Sequence, residues 1–188
     1  VNVARKPRVL LVATGDELSR PGEPRAPGGI VASSIYALAA MVSEWGGEAI
    51  DVGILPDKPE AFATLPALTG NADLIVTQGG ASVGDHDLVQ SALTPHGFML
   101  DFWKIAMRPG RPLAFGKLDL NGKTTLLFGL PGNPVATMVS FYFFARPALF
   151  ALAGAQAPQL MTVCAVSETD IPKKSGRTEY QRGQLTRS

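Results

Sequence analysis

The run Val9-Leu10-Leu11-Val12-Ala13 is followed directly by Thr14-Gly15-Asp16. Five apolar residues in succession, without polar alternation, are typical of a strand that is buried on both faces of a sheet. The small and polar residues that follow in sequence indicate a loop at the carboxyl end of that strand. This stretch therefore predicts a fully buried strand that delivers a loop to one edge of a sheet.

Strands and helices alternate along the chain after this first strand. The predicted elements begin with a helix that Ser33 or Ser34 caps and that stops at Gly46-Gly47, followed by a strand over residues 49–55. A helix from about Pro59, which Pro66 kinks or ends, a buried strand over residues 74–77, and a helix capped by Asp85 or Asp87 come next. This alternation predicts a three-layer α/β fold, in which a mainly parallel sheet carries helices on both faces.

The second half of the chain begins with a hairpin signal. Residues 112–120 and 123–130 flank Asn121-Gly122, a dipeptide that is typical of two-residue hairpin turns. Residues 135–153 are apolar over a length that could span a bilayer. Arg146-Pro147 lies inside that segment, and a charge and a helix-breaking proline would both be costly in lipid. We therefore interpret residues 135–153 as a bent pair of core helices.

The chain becomes more polar behind this apolar segment. Residues 155–160 have the character of a linker, and residues 162–166 and 180–185 are predicted to be strands of a different unit. We therefore divide the chain into one domain over residues 1–154 and a second segment, 155–188. The second segment contains a linker and the incomplete start of a C-terminal β domain.

The composition bounds the class of protein. Hydrophobic residues make up 46% of the 188 residues and charged residues 18%, which is typical of a folded core and not of a disordered chain. The formal net charge of +1 indicates neither a nucleic-acid partner nor a membrane partner. The single Cys164 excludes an intrachain disulfide, and no apolar signal segment is visible, so we expect a cytoplasmic protein.

In sheets of this kind, ligands bind at the carboxyl ends of the strands. The loop at residues 14–18 places Asp16 and Glu17 behind a glycine, which can hold a divalent cation but is also common at a helix start. Asp57 follows the second strand and, taken alone, is typical of a solvated turn. The loop at residues 77–87 contains three glycines and a serine, which can expose backbone N–H groups to a phosphate, although such loops are frequent. From these residues alone, both interpretations of each loop remain open.

A fourth loop, residues 104–112, carries three cations, Lys104, Arg108 and Arg111. An arginine can bind an oxyanion through two parallel hydrogen bonds. A solvated basic edge is the alternative, and a flexible run would favour it. Here two prolines and a glycine favour a fixed geometry and therefore an oxyanion site.

Four strings of residues occur in order along the chain. They are Thr-Gly-Asp-Glu-Leu (14–18), Gly-Gly-Ala-Ser-Val-Gly-Asp-His-Asp (79–87), Phe-Trp-Lys-Ile-Ala-Met-Arg-Pro-Gly-Arg-Pro-Leu-Ala-Phe-Gly (102–116) and Gly-Leu-Pro-Gly-Asn-Pro (129–134). Together they resemble the MoeA/gephyrin E-domain family of molybdopterin molybdenumtransferases over about residues 7–154. The segment at residues 175–185 resembles the opening of that family's C-terminal β-barrel domain.

The resemblance implies a role in molybdenum cofactor assembly. The family takes molybdopterin in its adenylylated form and molybdate as substrates, uses Mg²⁺, releases AMP and inserts molybdenum. The positions that match its functional acids are Glu17, Asp57 and Asp87, with Asp85 as a further metal ligand beside them. The positions that it implies for substrate binding are Thr14, Gly15, Asp16, Gly79, Gly80, Ser82, Gly84, Lys104, Arg108, Arg111, Pro131, Gly132, Asn133 and Pro134.

This sequence departs from the family pattern at several positions. Ala32 and Ser34 replace a usual Asp and Asn, and Ala81 replaces a usual Val. Arg108 and Arg111 stand where lysine is more common. The resemblance also implies that dimer-forming domains lie outside these 188 residues. We therefore expect a homo-oligomer for the full-length protein, and ligand binding without full turnover for this chain.

Three alternatives compete with this interpretation. The sister adenylyltransferase of the same pathway shares the fold, but the Gly-Asp-x-Asp pattern at residues 84–87 and the string at residues 108–116 favour molybdenum insertion. A non-catalytic binding or scaffold module, as in gephyrin-like proteins, remains open. A dinucleotide-binding domain is excluded because no Gly-x-Gly-x-x-Gly follows the first strand.

Overall fold

The computed structural model describes residues 3–79, 85–120, 122–173 and 175–186. Its strands, in chain order, are β1 (Arg8–Thr14), β2 (Leu18–Ser19), β3 (Ile30–Val31), β4 (Glu48–Leu55), β5 (Leu74–Gln78), β6 (Phe98–Trp103), β7 (Met107–Arg108), β8 (Ala114–Leu120), β9 (Lys123–Leu130) and β10 (Thr178–Glu179). Its helices are α1 (Ser34–Glu44), α2 (Pro59–Phe62), α3 (Leu65–Thr69), α4 (Asp85–Leu93), α5 (Pro134–Ser140) and α6 (Arg146–Leu152). A 3₁₀ turn spans Thr94–His96, and a π-helical segment spans Phe141–Ala145.

The central sheet has the strand order β4-β1-β5-β9-β8-β6 within the described residues. β1 runs parallel to β4 and β5, and β5 runs parallel to β9. β8 runs antiparallel to its neighbours β9 and β6, so β6 points the same way as the parallel strands. The predicted mainly parallel sheet is confirmed. So is the hairpin, since Leu120 pairs with Lys123 across a two-residue turn.

Helices cover both faces of this sheet because alternate residues of β1 point into two separate cores. Leu11 packs with Leu38 of α1 and Phe141 behind α5. Val12 points to the other face and packs with Phe62 of α2. All five side chains are fully buried, and each contributes roughly 1.5–3 kcal/mol through loss of apolar surface to water. The three-layer arrangement therefore follows from a strand that has no polar face.

Helix α1 begins at Ser34 as predicted, and Gly46 follows it in a left-handed conformation (φ +84°). The expectation that a serine caps this helix is wrong. Ser33 has a helical backbone (φ −75°, ψ −28°) and its side chain makes no capping hydrogen bond, because capping requires an extended residue.

Prolines and acids also lie differently from the prediction at the next three helices. α2 ends at Phe62, ahead of Pro66, and Pro66 instead lies in the first turn of α3, where a missing N–H is tolerated. α4 begins at Asp85, so Asp85 and Asp87 lie in its first turn rather than at its cap. An acid in the first turn interacts favourably with the positive end of the helix dipole.

The apolar segment forms one helical run, Pro134–Leu152, rather than two separate helices. By length and mean hydropathy (1.5) alone this run could cross a membrane. In the structure, Phe141, Ala145 and Leu149 are fully buried in the core, as predicted for a core helix. The π-helical segment precedes Pro147, and its wider turns accommodate a residue that has no N–H to donate.

The strands predicted over residues 162–166 and 180–185 are wrong. In the part of the chain that the structure describes, the tail forms one short strand, β10, which pairs in parallel with β7 of the main domain. A strand must pair its backbone N–H and C=O groups, and residues 162–166 pair with no other segment among those described.

Arg146 fixes the irregular segment that was predicted as a linker. Its guanidinium is buried beside the rings of Trp45, Tyr142 and Phe150, at 5.8, 5.4 and 5.4 Å from their centroids. It donates a hydrogen bond to the carbonyl oxygen of Pro158 at 3.1 Å. Three aromatic faces stabilise the buried cation, and this anchor determines where the tail leaves the domain.

Candidate functional site

The loops predicted to carry chemistry lie along one edge of the sheet. β1, β4, β5, β9 and β6 all point towards this edge, and β8 begins there. We call it the carboxyl edge. The strands end along it in the order Leu55, Thr14, Gln78, Leu130 and Trp103, with the start of β8 between the last two. Since neighbouring strands are about 4.8 Å apart, the loops after β4 and β6 are separated by about 24 Å.

Three carboxylates, those of Asp16, Glu17 and Asp57, form one end of this edge, which we call the acidic end. The backbone N–H of Asp57 donates to Asp16 Oδ1 at 3.4 Å. The Glu17 carboxylate lies against Gly15, where an added Cβ would be 2.6 Å from Oε2. Gly15 also has φ +147° and donates to the Leu55 carbonyl at 3.2 Å. Glycine is therefore required here both by the backbone and by the position of Glu17.

The acidic end offers carboxylate oxygens, the type of ligand that a divalent cation such as Mg²⁺ prefers. Asp16 and Glu17 are exposed and Asp57 is half-buried. Among the residues that the structure describes, no group of three or more His, Cys, Asp or Glu is arranged to hold a metal ion. Mg²⁺ needs fewer, since one or two carboxylates, waters and substrate phosphates usually hold it. The donor set fits an ion that is shared with a phosphorylated ligand. The side chains of Asp85 and Asp87 lie outside the described residues.

At the centre of the edge, two backbone segments approach closely. Gly79 has φ +91°, and a Cβ there would overlap the carbonyl oxygen of Thr14. The Gly79 N–H donates to the Leu130 carbonyl at 3.2 Å, and the buried Thr14 hydroxyl donates to the Gln78 carbonyl at 3.3 Å. The middle of the edge is therefore bare backbone, which a phosphate cradle requires. The other predicted residues of this loop, Gly80, Ser82 and Gly84, lie outside the described part of the chain.

Gln78 is a candidate that the sequence did not indicate. It is only 5% exposed, and its Nε2 donates to the carbonyl oxygen of Gly132 at 3.3 Å. This contact ties the glycine-rich loop to the proline loop, 54 residues further along the chain. A glutamine at the end of a buried strand has no local pattern that would reveal such a partner.

The proline loop, residues 131–134, is held rigidly at the start of α5. Asn133 Oδ1 accepts hydrogen bonds from the backbone N–H groups two and three residues ahead, at 3.0 and 3.2 Å, and so caps the helix. The Thr137 hydroxyl is hydrogen-bonded to the carbonyl oxygens of Pro131 and Asn133. Of the predicted binding residues in this loop, Pro131 is buried, whereas Gly132, Asn133 and Pro134 are exposed.

Lys104, Arg108 and Arg111 form the opposite end of the edge, which we call the basic end. Lys104 has φ +68°, and its Nζ lies 3.5 Å from the centroid of the Trp103 ring, a stabilising contact that the sequence did not reveal. Arg108 and Arg111 are exposed. The ion pairs among the described residues join other side chains and do not include these three cations.

The basic end also has the fixed geometry that its prolines predict. Two backbone hydrogen bonds of 3.0 Å, from Lys104 to Leu113 and from Ile105 to Arg111, close the base of the loop. Gly110, with φ +107°, seats the loop on α5, where an added Cβ would be 2.5 Å from Ser140 Oγ. The loop therefore presents its cations from a rigid frame.

Fold and site together define a three-layer α/β domain whose carboxyl edge carries acids at one end and cations at the other. A family model described as "Probable molybdopterin binding domain" matches residues 10–151. The chain belongs to this molybdopterin-binding domain family.

Known relatives and structures agree with this assignment. The chain is 38% identical over 187 residues to a molybdopterin molybdenumtransferase of Nostoc sp., covering 98% of this chain and 43% of the relative. A MoeA protein structure from Pyrococcus horikosii superposes with a TM-score of 0.69 at 32% identity, over 81% of this chain and 37% of that one. The tungsten cofactor synthesizing protein MoaB from Pyrococcus furiosus shares the fold, with a TM-score of 0.53 at 17% identity, over 81% of this chain and 98% of that one. The chain thus spans less than half the length of the first relative.

Proposed function

We propose that this chain binds molybdopterin or its adenylate along the carboxyl edge and takes part in Mg²⁺-dependent molybdate insertion with release of AMP. The observation that carries the proposal is the separation of charge along this edge. Acids lie at one end of a row of backbone that carries small residues, and cations lie about 24 Å away at the other. A ligand in which phosphates join a pterin to an adenosine is long enough to use both the acidic end and the central backbone.

The acidic end is proposed to handle the phosphates. Glu17 and Asp57, together with Asp85 and Asp87, would hold Mg²⁺, which supplies neutralisation of the pyrophosphate charge. Gly15 leaves space for the Glu17 carboxylate in its present position, from which a side chain at residue 15 would displace it. At the centre, the glycine-rich loop that the sequence predicts after Gln78 would offer backbone N–H groups to phosphate oxygens.

The basic end is proposed to bind molybdate, the second substrate. Arg108 and Arg111 offer planar sets of N–H donors, and Lys104 offers a point charge held over Trp103. Because the ion pairs of the described residues do not involve these three cations, an oxyanion can bind them without breaking one of those pairs. Molybdate is a small oxyanion that fits such a cluster.

The cellular compartment, the oligomeric state and the kind of ligand are also part of the proposal. Compatibility with a reducing compartment, and hence with the cytoplasm, is supported by the exposed free thiol of Cys164. The homo-oligomer of the full-length protein is carried over from the family resemblance. The nearly balanced charge supports a small-molecule ligand rather than nucleic acid or a membrane.

An AMP-release assay tests the proposal. The 188-residue chain and the full-length protein are loaded with molybdopterin adenylate to equal occupancy, and AMP is measured after molybdate is added. We expect weak binding and little release by the chain, and ready release by the full-length protein, because a missing positioning group lowers a rate by orders of magnitude. Equal rates would show that the site is complete here.

A matched pair of variants assigns the release to the acidic end. In the full-length protein, Asp87→Asn should lower Mg²⁺-dependent release, while Asp119→Asn, the same charge change at the opposite edge of the sheet, should not. Binding of molybdopterin without release by any form would instead support the scaffold interpretation. Absence of binding by the full-length protein would refute the proposal.

A further inference from the structure

The tail docks on the basic end in a fixed register. The backbone N–H of Thr178 donates to the Ala106 carbonyl, and that of Tyr180 donates to the Arg108 carbonyl, both at 2.8 Å. The Tyr180 ring stacks on Phe143, with centroids 4.2 Å apart. These contacts place Glu179 directly opposite Arg108 in the parallel β7–β10 pair. Because paired residues of adjacent strands lie on the same face, a shift by one residue would turn Glu179 away from Arg108.

Glu179 is held firmly in this position. Its side chain is 8% exposed, and its two carboxylate oxygens accept hydrogen bonds from Arg177 Nε at 2.8 Å and from Gln181 Nε2 at 3.3 Å. The pKa of Glu179 lies below its ordinary value, chiefly because Arg177 donates to the carboxylate. Burial opposes this shift, and Gln181 and the positive charge of Arg108 add to it. The group therefore carries its negative charge beside Arg108 throughout the neutral range.

We infer that Glu179 is a positioning residue of the basic end, which holds the Arg108 side chain in the orientation that receives an oxyanion. This inference rests on the proposed function of the basic end. Arg108 is exposed and belongs to no ion pair of the described residues, and Glu179 on the paired strand is the fixed charge that lies opposite it. A fixed neighbouring charge restricts the motion of the Arg108 side chain, and the ordering cost that an oxyanion has to overcome becomes smaller.

The sign of the expected effect separates positioning from simple electrostatics. If Glu179 acted only as a nearby negative charge, its removal would strengthen anion binding, because the repulsion would be lost. If it positions Arg108, its removal weakens binding in spite of that gain. Glu179→Gln is suited to this comparison because it keeps the shape of the side chain and one of its two accepting oxygens while it removes the charge.

The experiment measures molybdate affinity by calorimetry on the 188-residue chain, together with thermal unfolding. We expect Glu179→Gln to weaken binding about five-fold and Glu179→Asp to recover part of it. Asp170→Asn, the same charge change at an exposed position of the tail, should leave affinity unchanged or slightly higher. In an Arg108→Gln background, Glu179→Gln should have no further effect on affinity.

Each other outcome refutes a specific part of the idea. Unchanged or tighter binding by Glu179→Gln, with binding lost in Arg108→Gln, overturns the positioning role alone. A five-fold loss that persists in the Arg108→Gln background shows a structural effect of the tail and also overturns it. No molybdate binding by the unsubstituted chain overturns the basic end as an oxyanion site, and the inference with it. If Glu179→Gln fails to fold, Gln181→Met removes one of the donors that hold the carboxylate and should give a smaller loss of the same kind.

Discussion

The two edges of the central sheet differ in how their charges are satisfied. At the amino edge, the Asp73 carboxylate accepts hydrogen bonds from Arg5 at 2.6 and 2.7 Å and from the Arg8 N–H at 2.8 Å, and it lies 3.4 Å from Lys123 Nζ. Burial raises the pKa of Asp73, but the hydrogen bonds from Arg5 and Arg8 and the charge of Lys123 outweigh it, so that this pKa is lowered. The Asp73 carboxylate thus links the starts of β1, β5 and β9 through its hydrogen bonds and ion pairs.

At the carboxyl edge, in contrast, several polar groups lie without such partners within the described residues. The acids and cations stand at separate ends, and within the described residues the buried atoms Gln78 Oε1, Thr77 Oγ1 and Ser140 Oγ have no hydrogen-bond partner. A buried polar atom without a partner costs roughly 1–3 kcal/mol. The difference indicates that the amino edge contributes stability, whereas the exposed charges of the carboxyl edge remain accessible to a ligand.

The variant Gly79→Ala should break the carboxyl edge most severely. Its Cβ would overlap the Thr14 carbonyl oxygen, which belongs to the backbone of a central strand and cannot move aside easily. The left-handed φ of +91° adds roughly 1–2 kcal/mol. We expect a total destabilisation of about 3 kcal/mol or more, together with loss of molybdopterin binding. Urea unfolding and a fluorescence titration measure the two effects.

Gly22→Ala is the control for this variant. Gly22 has a similar φ of +85°, but nothing lies within 4 Å of an added Cβ. It should therefore show only the backbone cost, about 1–2 kcal/mol, and normal binding. If both variants lost the same stability, the approach of Thr14 would not be the reason for glycine at position 79.

The second prediction concerns the amino edge. Asp73→Asn should lower the free energy of unfolding by about 2 kcal/mol, because hydrogen bonds from charged groups to a largely buried carboxylate are lost, and it should leave ligand binding intact. Since the folded pKa of Asp73 is lowered, its contribution is present above the ordinary carboxyl pKa of about 3.9 and disappears as the pH falls through the folded pKa. The stability difference between the two proteins should therefore be constant from neutral pH to about pH 5 and shrink in more acidic buffer.

Asp101→Asn provides the comparison for Asp73. Asp101 pairs with Lys117 at 3.5 Å, but both side chains are well exposed, at 38% and 45%. Such surface pairs contribute roughly 0–1 kcal/mol. A loss of ligand affinity in Asp73→Asn, without loss of stability, would contradict the division of roles between the edges.

The third prediction sharpens the role of the acidic end. Glu17→Gln should weaken Mg²⁺-dependent ligand binding about ten-fold, which corresponds to about 1.4 kcal/mol. It should change the free energy of unfolding by less than about 0.5 kcal/mol, since the carboxylate is exposed. Glu44→Gln, at the exposed end of α1, is the matched charge control. A Glu17→Gln protein that kept its full response to Mg²⁺ would remove Glu17 from the metal site.

The fold was largely predictable because its signals are local. The uninterrupted apolar runs of β1 and β5 and the Asn121-Gly122 turn each specify their own element. The predictions that were wrong concern elements whose local sequence does not determine their structure. Pro66 starts a helix instead of ending one, and residues 162–166 lack a strand to pair with among the described residues.

The position of the site could likewise be predicted from the sequence, whereas the contacts that support it could not. The loops at residues 14–17 and 104–112 could be placed at one edge because parallel strands end together. The supporting contacts of Gln78, Trp103 and Glu179 could not be predicted. Gln78 finds its partner 54 residues away, and Glu179 lies beside Arg108 only because the tail folds back onto β7. No spacing in the sequence encodes such contacts.

The smallest predicted effect concerns Asn133, which lies between the two ends of the carboxyl edge and combines the two roles that the edges separate. Its Oδ1 caps α5, and its exposed amide NH₂ group remains available as a donor to a ligand. Asn133→Ala should lower the free energy of unfolding by about 1 kcal/mol through loss of the cap, and it should also weaken binding of molybdopterin.

Asn133→Asp separates these contributions, because aspartate caps a helix about as well as asparagine but has no N–H to donate. If Asn133 contacts the ligand, the Asp variant should unfold like the unsubstituted chain and yet bind an anionic ligand less tightly, through loss of the donor and the added negative charge. Asn133→Ser keeps a cap and adds no charge, so it distinguishes these two causes. It should be as stable as the unsubstituted chain, and it should bind more tightly than Asn133→Asp but less tightly than the unsubstituted chain. Full binding by Asn133→Asp would mean that this residue serves α5 alone. The predicted role of Asn133 as a binding residue would then be withdrawn, although the rigidity of the proline loop would still depend on it.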